Sequence, residues 1–147
     1  MKKGFLFISF LCLITYLSAQ DIKLSVPSKT GGMPLMEALN NRQSNRSFDK
    51  KEMPVETLSN LLWAAYGFNR ENKRTVPSSQ NRQEIDLYVM TDKGIYFYDA
   101  KENVLKQKVK GDFREALGQP SISLSASFSL IYVANIDKAS NREAGFI

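Results

Sequence analysis

The chain has 147 residues, of which 43% are hydrophobic and 24% are charged, so it can bury one ordinary core and lacks the composition of a disordered protein. Its formal net charge is +5, but the basic residues form neither a block of like charges nor a stripe interleaved with aromatics, which argues against nucleic-acid binding. It contains no histidine, the commonest general base and metal ligand, and we name no catalytic side chain and no metal ligand.

Residues 1–19 have the pattern of a secretory signal peptide, because lysines precede an apolar run from Phe5 to Leu17 and small residues follow it. We expect cleavage after Ala19, which makes the protein secreted or periplasmic without a stable membrane anchor. An anchor is the alternative, but the apolar run is shorter than the roughly 20 residues that span a bilayer. Cleavage also removes the only cysteine, Cys12, so any redox chemistry then needs a bound cofactor.

The next segments contain two predicted helices. Residues 20–33 are polar and glycine-containing, which is typical of a linker or an extended arm, and we assign residues 34–147 to one domain. A short helix is predicted to begin at Pro34, since proline suits the first helical position. A longer helix is predicted from Pro54, where apolar residues recur at spacings of three and four, to the stop at Gly67.

The second half of the chain has the pattern of a strand meander. After a polar loop from Asn69 to Glu84, strands are predicted at 85–90 and 95–98, paired antiparallel across a short turn, and a third is predicted at 104–109. A final strand is predicted at 128–134. Helices on both sides of such a meander indicate an α+β domain with an antiparallel sheet flanked by helices.

Two features near the end of the chain complete this prediction. Asp112 and Glu115 resemble a capping box for a helix of one or two turns that ends at Gly118. The last seven residues, Asn141 to Ile147, have the pattern of a new helix start without a cap or terminator. We therefore expect the chain to be incomplete at its C-terminus.

One polar segment carries the arrangement expected for phosphate binding. Arg42, Ser44 and Arg46 are two residues apart, and in an extended backbone alternate side chains point to the same side. Two guanidinium groups and a hydroxyl would then converge, which suits a phosphomonoester. A solvated loop after a helix, favoured by the helix dipole, is the alternative explanation.

A second polar cluster runs from Arg74 to Asn81 and precedes the first long strand. Backbone amides and small hydroxyls in this proline-containing loop could approach a ring system, although an ordinary turn has the same composition. Trp63, Tyr66 and Phe68 could stack on a ligand, but we interpret them as core residues.

Together these segments resemble the nitroreductase family, and within it the SagB-type dehydrogenase branch. The similarity rests on the Arg-x-Ser-x-Arg segment, a helix ending in Leu-Leu-Trp-Ala-Ala-Tyr-Gly, the sequence Arg-Thr-Val-Pro-Ser-Ser, and strands containing Leu-Tyr-Val and Gly-Ile-Tyr-Phe-Tyr. It covers Leu35 to Ile147. The residues from Gln80 to Gln83 depart from the family pattern, which has small residues and an aromatic or proline there.

The resemblance implies an FMN flavoprotein that is a homodimer in its full-length form, with flavins at the dimer interface. It implies hydride transfer from NAD(P)H through flavin N5 to a small organic acceptor whose identity the sequence does not give. Arg42, Ser44 and Arg46 match the family's contacts with the FMN phosphate and ribityl chain. The residues that match the loop lining the flavin of the partner subunit are Pro77, Ser78, Ser79 and Asn81.

Two alternatives to such an enzyme remain open at this point. The chain could be a secreted binding module that keeps the nitroreductase fold without flavin redox activity. It could also be an inactive fragment, because a fold does not by itself imply a function.

Overall fold

The computed structural model describes residues 20–49 and 51–139, and these form an α+β fold around a five-stranded sheet. The strands lie in the order β1-β6-β5-β4-β7, and every neighbouring pair is antiparallel. Their bounds are Ile22–Lys23 for β1, Ile85–Thr91 for β4, Gly94–Asp99 for β5, Val104–Lys110 for β6 and Phe128–Ala134 for β7. The predicted fold class, an antiparallel sheet flanked by helices, is confirmed.

Helices and a small ribbon complete the described structure. The helices are α1 (Leu35–Asn41), α2 (Val55–Tyr66), α3 (Pro120–Ser123) and α4 (Ile136–Ala139). The ribbon pairs β2 (Phe68–Arg70) with β3 (Lys73–Arg74). Both predicted helices are present, but each proline is the residue before the first helical turn, so Pro34 does not occupy the predicted first helical position. None of the described helices is both long and apolar enough to cross a membrane.

The core lies between α2 and one face of the sheet. Alternate strand residues point toward it, as Leu87 and Val89 do on β4, because successive side chains of a strand face opposite ways. From the helix, Leu62 is fully buried, which stabilises the fold by about 1.5 to 3 kcal/mol relative to an exposed leucine. The buried cluster comprises Leu24, Leu62, Tyr66, Leu87, Val89, Tyr96, Tyr98 and Leu105.

The segment predicted as a linker or extended arm contains β1 and lies against this core. β1 pairs with β6, and the next residue, Leu24, is 5% exposed. The Ser25 amide donates to Ser59 Oγ at 3.0 Å, and Ser59 Oγ in turn donates to the Val55 carbonyl at 2.7 Å. These bonds satisfy a hydroxyl that is fully buried on α2.

Two local predictions were wrong. The segment from Asn69 to Glu84 is not one polar loop, because it contains most of the β2–β3 ribbon and a 3₁₀ turn at Ser79–Asn81. The expected capped helix near Gly118 is only a 3₁₀ turn at Arg114–Ala116. Asp112 binds the amide and the guanidinium of Arg114, at 3.1 and 2.7 Å, and Phe113 rather than Asp112 precedes the turn. The predicted signal peptide and the segment 141–147 lie outside the described residues.

Candidate functional site

The predicted phosphate segment directly follows α1. Arg42 ends the helix in an extended conformation, with φ −65° and ψ 119°, and no regular secondary structure follows as far as Asp49. Arg42, Ser44 and Arg46 are all exposed. The Ser47 backbone amide donates to Asn45 Oδ1 at 2.8 Å, a local contact within this irregular segment.

The two guanidinium groups of this segment remain available to a ligand. Within residues 20–49 and 51–139, neither Arg42 nor Arg46 makes a side-chain hydrogen bond or an ion pair. Arg42 also lies at the C-terminal end of α1, where the helix dipole favours a cation. The segment therefore offers two charged donors and a hydroxyl to solvent, which is compatible with both the phosphate site and the solvated loop.

The second predicted cluster borders a cleft beside the β2–β3 ribbon. The cleft has a volume of about 330 Å³ and includes Pro77, Ser78 and Asn81 in its wall, whereas Ser79 is exposed in the adjoining 3₁₀ turn. Its lining residues are Asn69, Arg70, Lys73, Arg74, Thr75, Val76, Pro77, Ser78 and Asn81. No hydrogen bond in the described part of the chain joins this loop to the Arg42–Arg46 segment.

The loop that follows Ser79 is strained. Gln80, Asn81 and Gln83 have φ values of 53°, 57° and 51°, a left-handed region that residues other than glycine rarely adopt. Such conformations persist only where the surrounding structure enforces them, and they concentrate at functional sites. These residues fall within the stretch where the sequence departs from the family pattern.

Side-chain amides hold the strained loop against the ribbon. Asn81 Nδ2 and Gln83 Nε2 both donate to the Asn72 carbonyl at 3.0 Å, in the turn between β2 and β3. The backbone N–H of Gln83 donates to Ser78 Oγ at 2.9 Å. Because two side chains converge on one carbonyl, the loop and the ribbon form a single wall of the cleft.

Arg74 connects this wall to the core, a role that the sequence did not predict. Its guanidinium carbon lies 4.3 Å from the centre of the Tyr66 ring and 4.0 Å from that of Phe68. The guanidinium donates to the Tyr66 carbonyl at 2.8 Å and to Gln83 Oε1 at 3.0 Å. Burial lowers the pKa of Arg74, while Tyr66 and nearby carboxylates act in the opposite direction.

Of the three aromatic residues predicted to be core, only Tyr66 belongs to the core cluster, where it is 4% exposed. Trp63 and Phe68 are half-buried and lie outside that cluster, so the prediction was wrong for them. Trp63 Nε1 donates to the Phe68 carbonyl at 3.0 Å. The sequence places three aromatic residues shortly before Arg70, Lys73 and Arg74, but only the fold shows that Arg74 is the one that stacks on Tyr66 and Phe68.

Replacing Arg74 with lysine tests this connection. Lysine keeps the charge but loses the planar stacking and the paired donors, so we expect Arg74→Lys to lower the free energy of unfolding by about 1 to 3 kcal/mol. The matched control is Arg70→Lys, at an exposed position on the same ribbon. This substitution should change the free energy of unfolding by less than about 0.5 kcal/mol. Urea unfolding followed by tryptophan fluorescence measures both, and equal losses would contradict the assigned role.

Comparison with known proteins places this fold and its two clusters in context. Residues 39–140 match the model of the nitroreductase family, a range that contains every candidate site residue. The chain is also similar to the crystal structure of a candidate nitroreductase from Ralstonia eutropha JMP134, with 38% sequence identity and a TM-score of 0.77. That match covers 84% of this chain and only 60% of the other, and no curated protein matches the chain. The chain therefore belongs to the nitroreductase family.

Proposed function

We propose that the chain is an FMN-dependent oxidoreductase of nitroreductase type that uses NAD(P)H to reduce a small organic acceptor. The observation that carries this proposal is the family match across residues 39–140, which includes both candidate clusters. We also propose that the chain belongs to the SagB-type dehydrogenase branch of this family, because its motifs around Arg74 and along β4 and β5 resemble those of that branch.

The side chains of the Arg42–Arg46 segment fit an FMN phosphate. A phosphate dianion exposed to solvent needs charged donors that are not already neutralised, and both guanidinium groups are exposed and lack ion pairs among the described residues. Ser44 adds a neutral hydroxyl donor between them. On this proposal Arg42, Ser44 and Arg46 hold the phosphate and the start of the ribityl chain.

The loop from Pro77 to Asn81 would line the flavin ring of the partner subunit. Proline and small hydroxyl side chains allow close approach of the backbone, and the strained conformation of Asn81 is held by its bond to Asn72. A loop enforced by the fold in this way loses little entropy when a ring is placed against it. The chain's own residues thus bind, orient and shield the cofactor.

Bound FMN would supply hydride transfer at N5, between NAD(P)H and the acceptor. This chemistry belongs to the cofactor and requires no catalytic histidine or cysteine from the protein. The absence of histidine from the sequence is therefore compatible with the proposed activity. The part played by the protein is to fix the phosphate at Arg42 and Arg46 and to cover the ring with the Pro77–Asn81 loop.

The phosphate contact is tested by comparing FMN with riboflavin, which lacks the phosphate. Arg42→Ala and Arg46→Ala should each weaken FMN binding at least about tenfold, because a charge-assisted hydrogen bond contributes roughly 1.5 to 3 kcal/mol. Ser44→Ala should weaken it less, since the hydroxyl is a neutral donor. Flavin fluorescence quenching on titration with protein gives the dissociation constants.

Two controls accompany this measurement. Arg70→Ala removes an exposed arginine outside the segment and should leave FMN affinity unchanged. Riboflavin should bind wild type more weakly than FMN does and be nearly indifferent to Arg42→Ala. Equal losses of FMN and riboflavin affinity would mean that Arg42 supports the fold and does not hold the phosphate.

We further propose that the protein acts as a homodimer, and the exposed face of α1 supports this. The helix has seven residues, none of them buried, and Leu35, Met36 and Leu39 are 72%, 76% and 56% exposed. An isolated helix shorter than about 12 residues is marginal in water, so it needs a packing partner. A second copy of the chain would cover these side chains.

Sedimentation equilibrium tests the dimer. Met36→Glu should shift the protein toward monomer, because it places a charge among apolar side chains that the partner would bury. Val26→Glu is the matched control, since Val26 is 86% exposed and lies outside α1. A wild-type protein that stays monomeric across the concentration range would contradict the proposal.

Export is the last part of the proposal. Residues 1–19 would be removed on crossing the membrane, so the protein would be secreted or periplasmic and would meet FMN there. Intact-mass analysis of the exported protein should give a chain that begins at Gln20. A mass that includes Met1 would exclude cleavage.

A further inference from the structure

The cleft beside the β2–β3 ribbon has a strongly cationic wall. Arg70, Lys73 and Arg74 all line it, and none of its lining residues carries a carboxylate. Positive charge that is not balanced inside a concave site attracts anionic ligands. This cleft is separate from the Arg42–Arg46 segment, which lies on a different part of the chain.

The ribbon places two of these cations side by side. Arg70 and Lys73 are directly paired across β2 and β3, and both are exposed. Arg70 Nε donates only to the neighbouring Asn69 Oδ1, at 3.3 Å, and neither residue forms an ion pair within the described residues. Arg74 differs, because its donors are used by the Tyr66 carbonyl and by Gln83. Two cations at the cleft are therefore available to a ligand.

Hydroxyl groups add neutral donors to the same cleft. Thr75 Oγ1 is buried and has no hydrogen-bond partner among the described residues. Ser78 Oγ accepts the Gln83 amide, and its own hydrogen remains available, because a hydroxyl both donates and accepts. Charged donors beside neutral hydroxyl donors suit an oxyanion that carries several acceptor oxygens.

We propose that this cationic cleft binds the phosphate groups of the dinucleotide electron donor. The inference rests on the proposed function, in which Pro77, Ser78 and Asn81 lie against the flavin ring and also line the cleft. A donor whose nicotinamide reaches the ring would then extend its phosphates past this loop toward Arg70 and Lys73. Because the FMN phosphate is assigned to Arg42 and Arg46, the dinucleotide is the remaining phosphate-bearing ligand of the proposed reaction.

Steady-state kinetics with two kinds of electron donor, with and without phosphate groups, tests the assignment. For Lys73→Glu the KM for NADPH and NADH should rise about tenfold with kcat unchanged, because charge reversal turns an attraction into a repulsion. Lys73→Gln should give a smaller rise, and Arg70→Glu should resemble Lys73→Glu. The KM for 1-benzyl-1,4-dihydronicotinamide, which has no phosphate, should not change. Lys110→Glu makes the same change of net charge on an exposed residue outside the cleft and should behave as wild type.

Binding of ADP-ribose, measured by equilibrium dialysis, provides a readout that needs no redox activity. Its dissociation constant should rise about tenfold in Lys73→Glu, while FMN affinity stays at the wild-type value. ADP-ribose affinity that is equal in wild type and Lys73→Glu would overturn the inference, as would equal rises in KM for both kinds of donor. Failure of the flavin-loaded protein to accept hydride from either donor would instead count against the proposed function, and the dialysis result would still decide the cleft.

Discussion

The guanidinium of Arg74 is the contact on which the arrangement around the cleft depends. Removing a guanidinium from water is costly unless other groups replace the water. Here two aromatic rings stack at 4.0 and 4.3 Å, and two acceptors take its hydrogen bonds. Because these groups come from the end of α2, from β2 and from the loop at Gln83, one side chain fixes the relative position of three segments.

The same contact completes the end of α2. The last carbonyls of a helix lack partners within it, and α2 has no basic residue in its last turn. The Gly67 amide binds the Trp63 carbonyl, and Arg74 binds the Tyr66 carbonyl from outside the helix. Its positive charge also lies where the helix dipole is negative. Arg74 therefore joins the end of α2 to the ribbon, and its bond to Gln83 attaches the strained loop to the same point.

The sequence predicted the large elements because burial leaves a periodic pattern in them. Apolar residues at spacings of three and four predicted α2, and short runs between turns predicted β4, β5, β6 and β7 nearly to their observed bounds. The β2–β3 ribbon was not predicted, since its residues are mostly polar and its strands too short to alternate. The positive φ of Gln80, Asn81 and Gln83 was not predicted either, and two of these residues, Asn81 and Gln83, are held by hydrogen bonds to the Asn72 carbonyl, which is distant from them in the sequence. Motif similarity predicted Arg42 and Pro77 as cofactor-binding residues, but the role of Arg74 depends on contacts with two distant parts of the chain.

The ion pairs in the described part of the chain do not involve the cations of the two candidate sites. Across the part of the chain that the structure describes, carboxylates pair with Lys93, Lys106, Arg114 and Lys138. The pKa of Lys106 is raised, mainly by its hydrogen bond to Asp99. These acids leave unneutralised cations at the Arg42–Arg46 segment and on the β2–β3 ribbon. Since exposed charges are screened beyond about 8 Å at physiological ionic strength, each of these two groups of cations acts on an anion only when the anion lies close to it.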